Sequence, residues 1–361
     1  MSEMNARERM LAAMNLEPVD RVPTDIWAVG EVWTKLRERF GDDAAVREAL
    51  HIDGMAGVWA GYVGPPLPEV PEGDMVDYWG LQYRSVPYDM GVYHEQSVWP
   101  LKDAKSIDDL ESYRWPSADW FDYSKIKDAA LAVHDKQVVL CGYMTIFYMH
   151  NLLRGLEQSL LDPHDDPDFT HHLLGRTADF LYENHRRMFE ACDGLVDAGQ
   201  VTDDFGSQTG PLISLDTFRT FYRPHLQRFI DLCREHGVKV FHHDDGAIRP
   251  FLPDLIEMGI EILNPVQSAC PGMEMNGLKR DFGDKLCFHG GIDNQDVLPF
   301  GTPEEVRAAV RESIDALASN GTGYILAPCH NIQAVTPLEN IIAMYDEAWR
   351  YGRVGESVSG G

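Results

Sequence analysis

Short apolar runs recur along this chain and alternate with longer segments in which apolar residues fall three and four apart. The runs at Val138–Met144, Leu195–Val201, Val238–His243, Glu261–Val266, Lys285–His289 and Gly323–Ala327 have the length and composition of buried strands. Between them, the stretch 215–236 carries Phe218, Phe221, Tyr222, Phe229, Ile230 and Cys233 at helical spacing and stops at Gly237. Pro224 predicts a kink in that helix. Thr302-Pro-Glu-Glu305 and Thr336-Pro-Leu-Glu339 each predict a helix start, with Thr at the N-cap, Pro in the first turn and Glu three residues after the cap. Buried strands alternating with helices imply parallel strands joined by right-handed crossovers.

The N-terminal third is less regular. Residues 5–14 predict a short amphipathic helix, and the strand-like Arg21–Trp27 leads to a helix through Val32–Phe40. A second short strand near Met55–Trp59 is broken off by the Pro- and Gly-rich run 64–73. From Val76 to Pro100, aromatic and β-branched residues interleave with polar ones, as in an antiparallel hairpin. Residues 64–120 are therefore expected to form an insertion over one end of a single domain spanning 1–361, with 355–361 as a mobile tail. Counting the two early strands gives about eight βα units, the number that closes a (β/α)8 TIM barrel. Polar residues follow many different strands, with no G-x-G-x-x-G or P-loop, which favours a barrel over an open doubly wound sheet.

Composition narrows the function. Lys and Arg number 31 against 58 Asp and Glu, and the resulting net charge of −27 repels phosphate backbones and anionic lipid surfaces. Nucleic acid and membrane are thus not expected partners. The charged N-terminus lacks the apolar core of a signal peptide, so a cytoplasmic protein is expected. Six scattered cysteines, with no C-x-x-C pair, are expected to be free thiols.

The stretch Val238-Lys-Val-Phe-His-His-Asp-Asp-Gly246 is a strand that ends in chemistry. Alternation puts Val238, Val240, His242 and Asp244 on one face and Phe241, His243 and Asp245 on the other. The His243–Asp245 pair could close on a metal ion or a substrate; the alternative is a capping and turn-forming cluster. The ends of the other strands collect Asp203, Asp204 and Gln208, then Asn264 and Gln267, then His289 and Asp293, then Cys329, His330 and Asn331. In a barrel these ends meet on the face where active sites are built. A zinc site with one open position needs three protein ligands, which His243, Asp245 and Cys329 could supply; otherwise Cys329 is a buried thiol. His289 and His330 could support such ligands, transfer protons or bond backbone carbonyls. Asp203 with Asp204 could prepare a general base, bind a cationic group or form an acidic turn.

At these residues the chain resembles the uroporphyrinogen decarboxylase superfamily, and within it the zinc-dependent, corrinoid-linked methyltransferases. Four segments carry the resemblance in order: Phe241-His-His-Asp-Asp-Gly-Ala-Ile-Arg-Pro250, Ile262-Leu-Asn-Pro-Val-Gln267, His289-Gly-Gly-Ile-Asp293 and Leu326-Ala-Pro-Cys-His-Asn-Ile-Gln333. It implies a (β/α)8 barrel in which His243 and Cys329 match zinc ligands. The sequence departs at Asp245, where the methyltransferase His-x-Cys motif has a cysteine, and a carboxylate leaves the metal more Lewis-acidic. The paired N-terminal arginines of the true decarboxylases are absent, which argues against porphyrin decarboxylation. The expectation is a methyltransferase acting on a small methylated compound, an O-methyl compound first, or on a thiol, with zinc as cofactor, a corrinoid on a partner protein and a homodimer as candidate assembly. His289, His330 or Asp204 would handle protons; Asp203, Gln208, Asn264, Asp293 and Asn331 would contact substrate. A metal-free decarboxylase and a non-enzymatic binding protein are the alternatives.

Overall fold

Seven parallel strands stand in chain order in one curled sheet: β1 (Met55–Gly57), β2 (Val138–Met144), β3 (Ala198–Thr202), β4 (Lys239–His243), β5 (Ile262–Val266), β6 (Cys287–Ile292) and β7 (Tyr324–Pro328). The computed structural model describes residues 3–353, so the tail expected at 355–361 lies outside the described residues. Helices follow the strands as the alternation predicts, and the register pairs Thr202 with His243 and His243 with Asn264.

The expected eighth strand is not a regular one. Pro23 has no N–H to give to a ladder, and Arg21–Trp27 makes only isolated bridges. Even so, Leu326 N donates to Pro23 O at 2.9 Å and Asp25 N to Leu326 O at 3.0 Å, while Asp53 N and Gly54 N donate to Thr24 O at 3.1 and 3.0 Å. The segment therefore bonds β7 on one side and the approach to β1 on the other, closing the ring that seven strands leave open.

Inside the ring, Val138, Leu140, Ala198, Phe241, Ile262, Cys287 and Ile325 form an apolar cluster. The helix Ala6–Met14 adds Met10, Ala13 and Met14 to that cluster as a plug. Outward residues such as Val201, Val240, Leu263 and Phe288 belong to the larger core shared with the surrounding helices. An antiparallel hairpin, Gln82–Tyr88 with Gly91–Val98, lies between β1 and β2 in the chain. Its turn lies against the helix Gly30–Phe40, where a Cβ at Gly91 would meet the flexible end of the Glu31 side chain.

Two helix expectations need correction. Thr302 does cap Pro303–Leu317 through a reciprocal box with Glu305. Thr336 does not cap Leu338–Tyr351: its N–H is drawn into a turn with Gln333 O, the cap position falls at Pro337, and its buried hydroxyl has no hydrogen-bond partner among the described residues. The stretch 215–236 is three pieces, Leu215–Thr217, a π-type turn at Phe218–Tyr222 and Arg223–Glu235. Pro224 cannot donate to the preceding turn, and the turn widens there.

Candidate metal centre at the barrel mouth

β4 runs out of the apolar interior and delivers His243 to the mouth. Two residues on, Asp245 shares its direction. The loops after β3 and β4 approach so closely that a Cβ on Gly206 would meet the Asp245 carbonyl and one on Gly246 would meet the Ser207 backbone. This contact lets Asp204 Oδ1 accept the Asp245 N–H at 3.2 Å. His243 Nε2 lies 3.8 Å from Asp204 Oδ1 and 4.0 Å from Asp245 Oδ2, and His330 Nε2 lies 3.7 Å from Asp245 Oδ2. Donor atoms of His243, Asp245 and His330 all fall within 4.8 Å of one another, close enough to share one ion. Burial raises the Asp245 carboxyl above its ordinary value against the pull of His243 and His330.

The opposite face of the same strand is structural. His242 Nδ1 donates to Val201 O at 2.8 Å, and Asp244 Oδ1 accepts from Phe205 N at 2.9 Å, tying β4 to the loop after β3.

Below His243 the interior turns polar. His243 Nδ1 meets Asn264 Oδ1 at 2.5 Å, Asn264 Nδ2 meets His289 Nδ1 at 2.7 Å, and His289 Nε2 meets Asp25 Oδ2 at 3.0 Å. Asn264 and His289, expected as a substrate contact and a proton-handling group, are fully buried with every polar side-chain atom engaged, so they sit beneath the three-donor group. Trp27 covers this layer, its ring centroid 5.4 Å from His243 and 5.8 Å from His289. Asp25 and Trp27 thus belong to the layer beneath His243, which strand periodicity alone does not reveal. The available signal was a carboxylate inside the apolar run Val22–Trp27.

The remaining candidates are dispersed. The Cys329 thiol points at Val266 O, 3.1 Å away, and burial, with Asp293 adding to it, pushes that thiol up to about 12. Cys329 therefore stands outside the three-donor group, and its neighbour His330 stands inside it. Asp293 Oδ1 accepts from Gln295 N and Asp296 N, both at 2.7 Å, in its own turn. Gln208 is exposed and accepts from Gln267 Nε2 at 3.2 Å. Asn331 is half-buried, and its carbonyl accepts from Asn294 and Gln333. A cavity of about 1220 Å³ lies between the hairpin and the helix Gly30–Phe40, lined by Val29, Arg37, Tyr88, Met90, Val92 and Val335 among others.

Asp203 is buried and caps the loop after β2: its carboxylate accepts from Thr145 Oγ1 at 2.6 Å, Tyr148 N at 2.8 Å and Ile146 N at 3.1 Å. Burial still pushes its carboxyl up from 3.8 to about 7. The fold thus holds the proton more tightly than the unfolded chain does, and stability should fall as pH rises from about 4 to about 7. Asp203→Asn is expected to flatten that part of a urea-midpoint profile. A slope identical to wild type would remove Asp203 as its source.

The fold and this site define a (β/α)-barrel protein with a metal-competent His, Asp and His group at the C-terminal mouth of its strands. The chain belongs to the uroporphyrinogen decarboxylase (URO-D) family, whose model matches residues 113–351. It is 27% identical over 201 residues to the uroporphyrinogen decarboxylase of Azoarcus sp. (strain BH72), covering 54% of this chain and 51% of that protein. It is 30% identical over 133 residues to the methylcobamide:CoM methyltransferase MtaA of Methanosarcina barkeri, covering 37% and 36%. The chain thus spans about half the length, or less, of these curated relatives. A solved methyltransferase from Methanosarcina mazei shares the fold with a TM-score of 0.69 at 20% identity, over 97% of this chain and 99% of that one.

Proposed function

We propose that this protein transfers a methyl group between a small methylated compound or thiol and a cobalt corrinoid carried by a partner protein, using one zinc ion at the barrel mouth. The observation that carries the reading is the convergence of His243, Asp245 and His330 on one point. Two imidazoles and a carboxylate are a donor set that zinc accepts, and Asp245 is part-exposed, leaving a side open to a small molecule. His243, Asp245 and His330 would hold the ion, with Cys329 as the alternative third ligand suggested by the family resemblance. Bound zinc supplies a Lewis acid that makes a thiol more acidic or an ether or thioether a better leaving group. Asp204, 3.8 Å from His243 Nε2 and part-exposed, would give or take the proton at the substrate heteroatom. Support for methyl transfer comes from the relatives, which include a methylcobamide:CoM methyltransferase and a methylated-thiol–coenzyme M methyltransferase.

The test supplies purified protein with a reduced free or protein-bound corrinoid and a panel of methyl ethers and thioethers. Loss of the Co(I) absorption band that requires the protein is expected, and Asp204→Ala should slow it while leaving the zinc in place. If no donor methylates the corrinoid, while the metal-stripped protein releases carbon dioxide from uroporphyrinogen or another acid, the decarboxylase reading replaces this one.

A further inference from the structure

The buried chain beneath His243 has a direction, and that direction can be read from groups that can only donate. Asp25 Oδ2 receives the indole N–H of Trp27 at 3.1 Å, and Asp25 Oδ1 receives the amide N–H of Met55 at 3.3 Å. Neither partner can accept, and as a carboxylate Asp25 has no hydrogen of its own to give, so His289 Nε2 brings the proton to their 3.0 Å contact. Neutral His289 then has a lone pair on Nδ1, which takes a hydrogen from Asn264 Nδ2 at 2.7 Å. This orients the amide of Asn264, so Oδ1 faces His243 Nδ1 and can only accept from it. The contact of 2.5 Å is satisfied when Nδ1 of His243 carries the hydrogen.

We infer that Asp25, His289 and Asn264 are positioning residues that keep the proton of His243 on Nδ1 and turn its Nε2 lone pair toward Asp204, Asp245 and His330. The segment that closes the barrel, which bears Asp25, thereby sets the donor atom at its mouth from about three side chains away. Partners of this kind fix ring orientation and tautomer in metal-ligating histidines, and losing one costs about 10- to 100-fold in metal affinity. The bearing on metal rests on the proposed zinc site; the placement of the proton does not.

The experiment observes the ring nitrogens of His243 by NMR in metal-free protein labelled with ¹⁵N-histidine at a fixed pH of about 8, where free imidazole is neutral. Zinc affinity is measured alongside. Wild type is expected to show a protonated Nδ1 and an unprotonated Nε2. His289→Leu should give mixed tautomers and zinc binding about 10- to 100-fold weaker. His289→Gln should behave like wild type, because its amide offers an acceptor to Asn264 and a donor to Asp25; simple loss of packing would not make Leu and Gln differ in this way.

A protonated Nε2 in wild type overturns the inference, since a doubly protonated His289 with a flipped Asn264 would produce it. Equal behaviour of the Leu and Gln variants also overturns it. If His289→Leu does not fold, the wild-type spectrum and His289→Gln still decide. Should wild type show the expected tautomer yet bind no zinc, the zinc proposal fails and the positioning chain stands.

Discussion

His243→Ala, purified without chelators, is expected to retain almost no zinc and to bind added zinc more than about 100-fold more weakly than wild type, because it loses a ligand where loss of an outer partner alone costs about 10- to 100-fold. His243 is 8% exposed and is the best-supported member of the donor group, so water cannot easily replace its Nε2. The same measurement separates the two candidate third ligands. If the arrangement of donor atoms is the binding arrangement, His330→Ala loses zinc and Cys329→Ala keeps it. The reverse result would mean that the Cys329 thiol leaves the Val266 carbonyl to bind as thiolate. Zinc content unchanged in all three variants would end the zinc proposal. Asp245→Cys, which restores the methyltransferase motif, is expected to keep or tighten zinc if Asp245 is a ligand, since thiolate is the softer donor.

Asp53→Ala is expected to cost about 3 to 5 kcal/mol of unfolding free energy, the range for removing one partner of a buried ion pair. Asp53 is 2% exposed and lies just before β1, where the closing segment meets the sheet. Its carboxylate receives Arg21 Nη1 and Nη2 at 2.8 and 2.9 Å, Arg9 Nη1 at 2.5 Å and Thr24 N at 3.0 Å. Deleting it leaves Arg21, itself 7% exposed, short of its carboxylate partner in the barrel floor and removes one of the two carboxylates that hold Arg9 of the N-terminal plug. Urea unfolding followed by tryptophan fluorescence measures the loss. A change below about 1 kcal/mol would mean that water or Asp20 takes over, placing this cluster among weakly coupled surface pairs. The same variant should loosen His243, because Asp25 and Thr24 lie on one segment.

Periodicity in the sequence determined the run of strands from Val138 to Ala327 and their parallel arrangement, since a buried parallel strand needs an unbroken apolar run and each crossover needs a helix. Strand alternation also pointed to His243 and Asp245 as a pair, although β4 ends at His243 and Asp245 is held by the loop contact with Asp204. The capping box at Thr302 was legible for the same local reason, whereas the matching letters at Thr336 were overridden by a turn to Gln333. Only the tertiary structure decided how the barrel closes: Arg21–Trp27 is held by bonds to β7 and to the approach to β1, which no local pattern encodes. It also decided that His330, and not Cys329, turns into the donor group, and that Asn264 and His289 lie under the site instead of facing its opening. Those outcomes depend on side-chain direction in loops and on partners more than two hundred residues away, as with Asp25 and His289, and such contacts exist only once the ring is closed.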